Sequence, residues 1–189
     1  MELKPIVLSH PHIPQPLHGL NPRSIMGQQQ WDIIRQKVYA STNYHCIACG
    51  IHKTKARNHH WLEAHEFYNI NHQTGVCIIE DIIPLCHFCH NFIHSGRLTM
   101  IMGKDKSVNE IKAILEHGFK ILADNNLQCF PYTLLFGQGL EVNTYGVTAY
   151  TIKENTKLQW TDYKLIYNDK TYDSPFKSRE EWLAYYKHK

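Results

Sequence analysis

The sequence predicts an α+β protein: a strand–strand–helix core closed around metal, with flanking helices and a small C-terminal β-rich appendage. Three observations carry that reading. Two C-x-x-C pairs, Cys46/Cys49 and Cys86/Cys89, bracket a pair of strand-like segments. Immediately behind the second pair, His90 and His94 stand four residues apart, the spacing that puts two side chains on one helical face. A strongly periodic apolar stripe then marks a helix over 107–124, and the chemistry of the chain changes again after residue 134.

Taken in order, residues 1–25 are irregular, because Pro5, Pro11, Pro14, Pro16 and Pro22 forbid a long helix and push their predecessors toward extended backbone. A helix over 28–40 follows, with Trp31, Ile34 and Val38 on its apolar face. The first C-x-x-C pair ends at Gly50, which can take the left-handed conformation of a tight metal turn. Residues 61–68 and 76–83 read as partner strands joined by a polar turn over 69–75. A short helix covers 89–96. In the helix over 107–124, Ser107 and Glu110 have the spacing of a capping box, and Ile111, Ile114, Leu115, Phe119 and Leu122 form the buried face. Beyond Gly137-Gln138-Gly139, residues 142–152, 159–168 and 170–173 read as strands, and Ser178 caps a closing helix. This divides the chain into a domain over 1–134 and an appendage over 135–189.

Composition bounds the possibilities. The 189 residues, 43% hydrophobic and 20% charged, describe a folded chain rather than a disordered one. No apolar run approaches a membrane span, and the N-terminus has no signal-peptide pattern, so the expected location is the cytoplasm, with no membrane partner. In that reducing compartment cysteines bind metal or stay free far more often than they pair. The net charge of +3 is small, but residues 1–60 hold seven lysines and arginines against two acids. Within them, Lys53, Lys55 and Arg57 form a short run that reads equally as a phosphate-facing patch or as a solvated loop.

Four cysteines in two C-x-x-C turns can supply the tetrahedral thiolate set of a structural zinc, so Cys46, Cys49, Cys86 and Cys89 are the expected Zn²⁺ ligands. Zinc binding in such a site is worth on the order of 10 kcal/mol. The closure entropy of the long intervening loop grows only slowly with its length. Cys77 and Cys129 fall outside the pattern and read as small buried hydrophobes. His65, His90 and His94 form a second candidate set. Three neutral imidazoles suit a divalent metal and leave a further coordination position for water or a phosphate oxygen.

The run from Cys46/Cys49 through Leu62-Glu63-Ala64-His65-Glu66 to Asp81-Ile82-Ile83-Pro84-Leu85-Cys86, Cys89-His90 and His94 resembles the HNH endonucleases and their ββα-metal motif. The likeness covers roughly the first 100 residues, including the lead-in from Pro16 to Ser24, which resembles a subgroup of bacterial and phage HNH-like proteins. It implies an HNH-type endonuclease that hydrolyses nucleic-acid phosphodiesters, with DNA favoured over RNA. Catalytic roles then fall to His65, Glu66, Asp81 and His90. His65, His90 and His94 would hold a second ion (Zn²⁺, Mg²⁺, Mn²⁺ or Ni²⁺), and Lys53, Lys55, Arg57 and Arg97 would contact nucleic acid. Arg97 serves equally as a cation complementing a helix C-terminus.

The chain departs from the family pattern in two places: Glu66 stands where a general-base histidine is usual, and Asp81 where an asparagine is. A glutamate is the weaker base at neutral pH, which leaves His59, His60 or His72 as other sources. The competing expectation is a non-catalytic HNH-like zinc module that binds nucleic acid or a protein partner. The aromatic C-terminal region offers a surface for such a partner or for a homodimer.

Overall fold

The computed structural model describes residues 1–58, 60–94, 98, 107–130 and 145–187. These described residues form a mixed α+β protein with a four-stranded sheet. The helices are α1 (Pro22–Met26), α2 (Gln28–Ser41), α3 (His87–Ile93), α4 (Ser107–Asp124) and α5 (Arg179–Lys187). The strands are β1 (Glu63–Asn71), β2 (Val76–Leu85), β3 (Lys164–Tyr167) and β4 (Lys170–Asp173). The chain forms two compact units, each discontinuous in sequence. The boundary expected near residue 135 lies outside the described residues, as do Arg97 and His59.

The first unit comprises Met1–His12, Arg35–His65 and Ile83–Thr151. Its core is built on α4, whose Ile111, Ile114, Leu115, Phe119 and Leu122 are all buried, as the apolar stripe predicts. Against α4 pack α3 and a 3-10 turn at Pro5–Ser9 that buries Val7 and Leu8. The N-terminal segment is further fastened by the Ser9 hydroxyl, which donates to the Gln128 carbonyl, and by the Tyr150 hydroxyl, which donates to the Ser9 carbonyl at 2.5 Å. The strand expected over 142–152 is not formed in its described part. There the chain is irregular apart from a parallel bridge, Cys129 to Ala149, and no strand among the described residues offers it a ladder.

The second unit comprises Ile13–Ile34, Glu66–Ile82 and Ile152–Lys189. Asn21 caps α1 reciprocally: its Oδ1 accepts the Ser24 N–H at 3.0 Å, and its own N–H donates to Ser24 Oγ at 3.0 Å. The hairpin β1–β2 closes through Asn71, whose Oδ1 accepts the N–H groups of Gln73 and Thr74 at 3.0 and 3.2 Å. Gly75, at φ +76°, completes that turn. The sheet order is β1-β2-β3-β4. β3 pairs in parallel with β2, Cys77 opposite Leu165, and β4 returns antiparallel to β3 through Asn168-Asp169, both at positive φ. The C-terminal segment thus extends the sheet that the hairpin starts. The expected strand over 159–168 begins as a 3-10 turn at Trp160–Asp162 and becomes β3 only at Lys164. In α5, Trp182 Nε1 donates to His18 Nδ1 at 3.2 Å. No helix among the described residues is long and apolar enough to cross a membrane.

Candidate metal centre

Both ligand sets lie in the first unit, and one short helix serves both. The first knuckle is a tight turn in which the Gly50 N–H donates to the Cys46 carbonyl at 2.9 Å and the Cys46 N–H to that of Ile51 at 2.9 Å. Gly50 sits at φ +74°, the left-handed geometry expected of it. The Ile47 N–H donates to the Pro84 carbonyl at 3.0 Å, which ties this knuckle to the residues leading into the second. Cys86 then stands at the N-cap of α3 and Cys89 within its first turn. The sulfurs of Cys46, Cys49, Cys86 and Cys89 come within 4.8 Å of one another, with Cys49 and Cys86 3.7 Å apart. A tetrahedral zinc with bonds of about 2.3 Å requires sulfurs about 3.8 Å apart, so the four thiols can hold such an ion.

The electrostatics agree with that assignment. Hydrogen bonds from Cys46, Cys49 and Cys89 hold the Cys86 thiol far below the ordinary cysteine range. Cys46, Cys49 and Cys86 in turn push Cys89 well above it, and burial adds to that shift. Four sulfurs this close cannot all ionise without a cation to offset their charge. His117, on α4, places Nε2 3.4 Å from Cys89 Sγ, within reach of an N–H···S bond that would steady a thiolate. Cys77 and Cys129 are fully buried elsewhere, and burial alone raises them to about 12 and about 11.

His65, on β1, meets His90 and His94 at the end of α3. Ring centroids are 4.8 Å apart for His65 and His94, 5.4 Å for His65 and His90, and 4.5 Å for His90 and His94. His65 Nδ1 lies 3.1 Å from His94 Nε2, close to the roughly 3.3 Å that two nitrogens show when they share a tetrahedral ion. Burial, and then the neighbouring charges of His94, His90, His10 and His12, hold His65 well below the usual histidine pKa. It is therefore a neutral imidazole, the protonation state a metal requires. Its Nε2 is buried with no hydrogen-bond partner among the described residues. These residues fit a divalent ion, and the cysteine and histidine sets form two separate clusters.

The other expected residues are distributed unevenly. Side chains alternate along a strand, so Glu66 projects from the face opposite His65. It belongs to the second unit, where its charge acts on Tyr68 and Tyr167. Asp81, also in the second unit, is exposed, and its Oδ1 accepts the Ile82 N–H at 2.8 Å. His60 is exposed, and His72 of the second unit lies 3.8 Å from Glu154. Lys53 stacks its ammonium 3.8 Å above the Tyr44 ring, and the Arg57 guanidinium lies 5.5 Å above Phe88, while Lys55 is exposed. Arg57 and Phe88, with His117 and Lys120 of α4, line a cavity of about 360 Å³ beside Cys86.

Two residues that the motif does not single out stand at the histidine cluster. The buried ring of His10 meets His65 edge-on, centroids 6.5 Å apart. Glu63 approaches His87 and His90, and its sequence signal is the two-residue spacing that gives it the same strand face as His65. Searched against protein-family models, curated proteins and solved structures, the chain matches none.

Proposed function

We propose that this protein is a metal-dependent endonuclease that hydrolyses nucleic-acid phosphodiester bonds, DNA in preference to RNA, with one zinc holding the fold and a second divalent ion serving the chemistry. The observation that carries the reading is the buried three-histidine cluster beside the four-cysteine cluster. Three imidazoles within reach of one point, one of them with an unsatisfied buried nitrogen, suit an ion that keeps a coordination position for a ligand. Such an ion polarises a phosphoryl oxygen and lowers the pKa of bound water. The preference for DNA rests on the resemblance of the motif to HNH endonucleases.

The protein's own residues do the rest. His65, His90 and His94 orient the ion, and burial keeps His65 deprotonated. The buried His10 ring meets His65 edge-on, and in this reading it is the group that accepts a proton from water. Arg57 and Lys55 supply exposed positive charge for the phosphate backbone.

The test is elemental analysis of wild type and His90→Ala, with plasmid nicking assayed on the same samples. Two ions per chain falling to one, with nicking lost, supports the reading. One zinc in both proteins with no nicking overturns it in favour of a non-catalytic zinc module.

A further inference from the structure

The Glu63 carboxylate addresses two imidazoles at once. Its Oε1 lies 2.8 Å from His87 Nδ1 and its Oε2 lies 2.5 Å from His90 Nδ1. The first contact is an aligned hydrogen bond; the second is close but off-axis. The carboxylate is itself held. His87 Nε2 lies 3.6 Å from Glu110 Oε1 on α4, and Asn58 Nδ2 donates to that same oxygen. Asn91 Nδ2 braces this arrangement by donating to the His87 carbonyl at 2.9 Å. Glu63 is four-fifths buried by side chain, so its charge faces little competing water.

Two roles are open to such a group, ligand or support. Glu63 is not among the ligand atoms that lie within 4.8 Å of one another, whereas any two ligands of one ion stand at most about 4.2 Å apart. Support is the role that remains. A carboxylate beside one ring nitrogen favours an N–H there, which leaves the other nitrogen as a lone-pair donor.

We infer that Glu63 is the positioning residue of the histidine centre: its carboxylate, beside Nδ1 of His90, favours the tautomer that leaves the other ring nitrogen as the lone-pair donor for a divalent ion. The His87–Glu110–Asn58 chain holds Glu63 in turn. This rests on the histidine set binding metal, and it does not depend on which bond the protein cleaves.

The experiment is a Co²⁺ titration of protein already carrying zinc at the cysteines, followed by visible absorption, for wild type, Glu63→Gln and Glu110→Gln. Glu63→Gln keeps the shape and removes the charge. It should weaken Co²⁺ binding by about 10- to 100-fold at unchanged stoichiometry and alter the cobalt spectrum. Glu110→Gln, one residue further out and partly exposed, should weaken it less. Zinc content and melting temperature, measured on the same samples, establish that the variants are folded. Equal Co²⁺ affinity in Glu63→Gln and wild type overturns the inference. So does complete loss of the second ion, because Glu63 would then be a ligand. Failure of wild type to bind a second ion removes the histidine centre itself, a result distinct from a centre that binds metal and leaves DNA intact.

Discussion

Gly118 on α4 leaves the space that the Phe92 ring of α3 fills: a methyl group at Gly118 would fall against Cγ, Cδ2 and Cε2 of that ring. Phe92 is fully buried and meets Phe119 edge-on, centroids 5.3 Å apart, so the ring has nowhere to retreat. Two effects oppose each other in Gly118→Ala. Alanine gains about 0.5–1 kcal/mol in a helix interior, whereas overpacking a well-filled core costs about 1–3 kcal/mol. The clash should prevail. Because α3 carries Cys89 and His90, the variant should melt lower in denaturant and bind the second ion more weakly. Raised stability would contradict this packing.

The zinc cluster should be indispensable to the fold. A structural zinc contributes roughly 10 kcal/mol or more, while a whole domain is stable by about 5–15 kcal/mol. Losing one ligand should therefore unfold most or all of the first unit. Cys46→Ser, or zinc removal by a strong chelator, is expected to abolish the cooperative melt followed by circular dichroism. A chelated protein that melts like the zinc form would show the four cysteines to be packing residues.

Glu66 and His10 separate two accounts of water activation. Glu66 leaves β1 on the face opposite His65, whereas His10 meets that ring edge-on. Glu66→Gln is expected to keep nicking within about threefold of wild type. His10→Ala should lower it by on the order of a hundredfold while keeping two ions per chain. The reverse pattern would return the base role to Glu66.

Acid should destabilise the fold, and the sign follows from four histidines. His65 is held well below its ordinary pKa by burial first, and His18 and His72 are lowered by burial too. Below about pH 6.5 the unfolded chain takes up protons at these positions that the folded chain refuses, so stability falls as pH falls. His87 opposes them: Glu63 raises its pKa, so its contribution is complete below about pH 6.5 and is lost as pH rises through the raised value. Three lowered groups, one of them fully buried, outweigh one raised group. Protein carrying zinc at the cysteines alone should melt lower at about pH 5 than at about pH 7. A melting temperature that stays level or rises toward acid would refute the burial of neutral His65.

The sequence by itself determined the parts whose chemistry is local. The C-x-x-C spacings, His90 and His94 four apart, the left-handed Gly50 turn, the β1–β2 hairpin and the apolar stripe of α4 are each written within a few turns of chain, because ligand spacing and helical or strand periods act over short distances. Tertiary structure decided what depends on distant segments. His10 reaches His65 because Val7, Leu8, Ser9 and Tyr150 anchor the N-terminal segment across more than a hundred residues of sequence. β3 joins β2 in parallel register, a pairing no short-range pattern announces. Strand alternation places Glu63 on the face of His65, but only the packing of α3 and α4 delivers His87 and His90 to its carboxylate and Glu110 to His87. Residue types and spacings named the candidate metal ligands, and the fold decided which residues surround them.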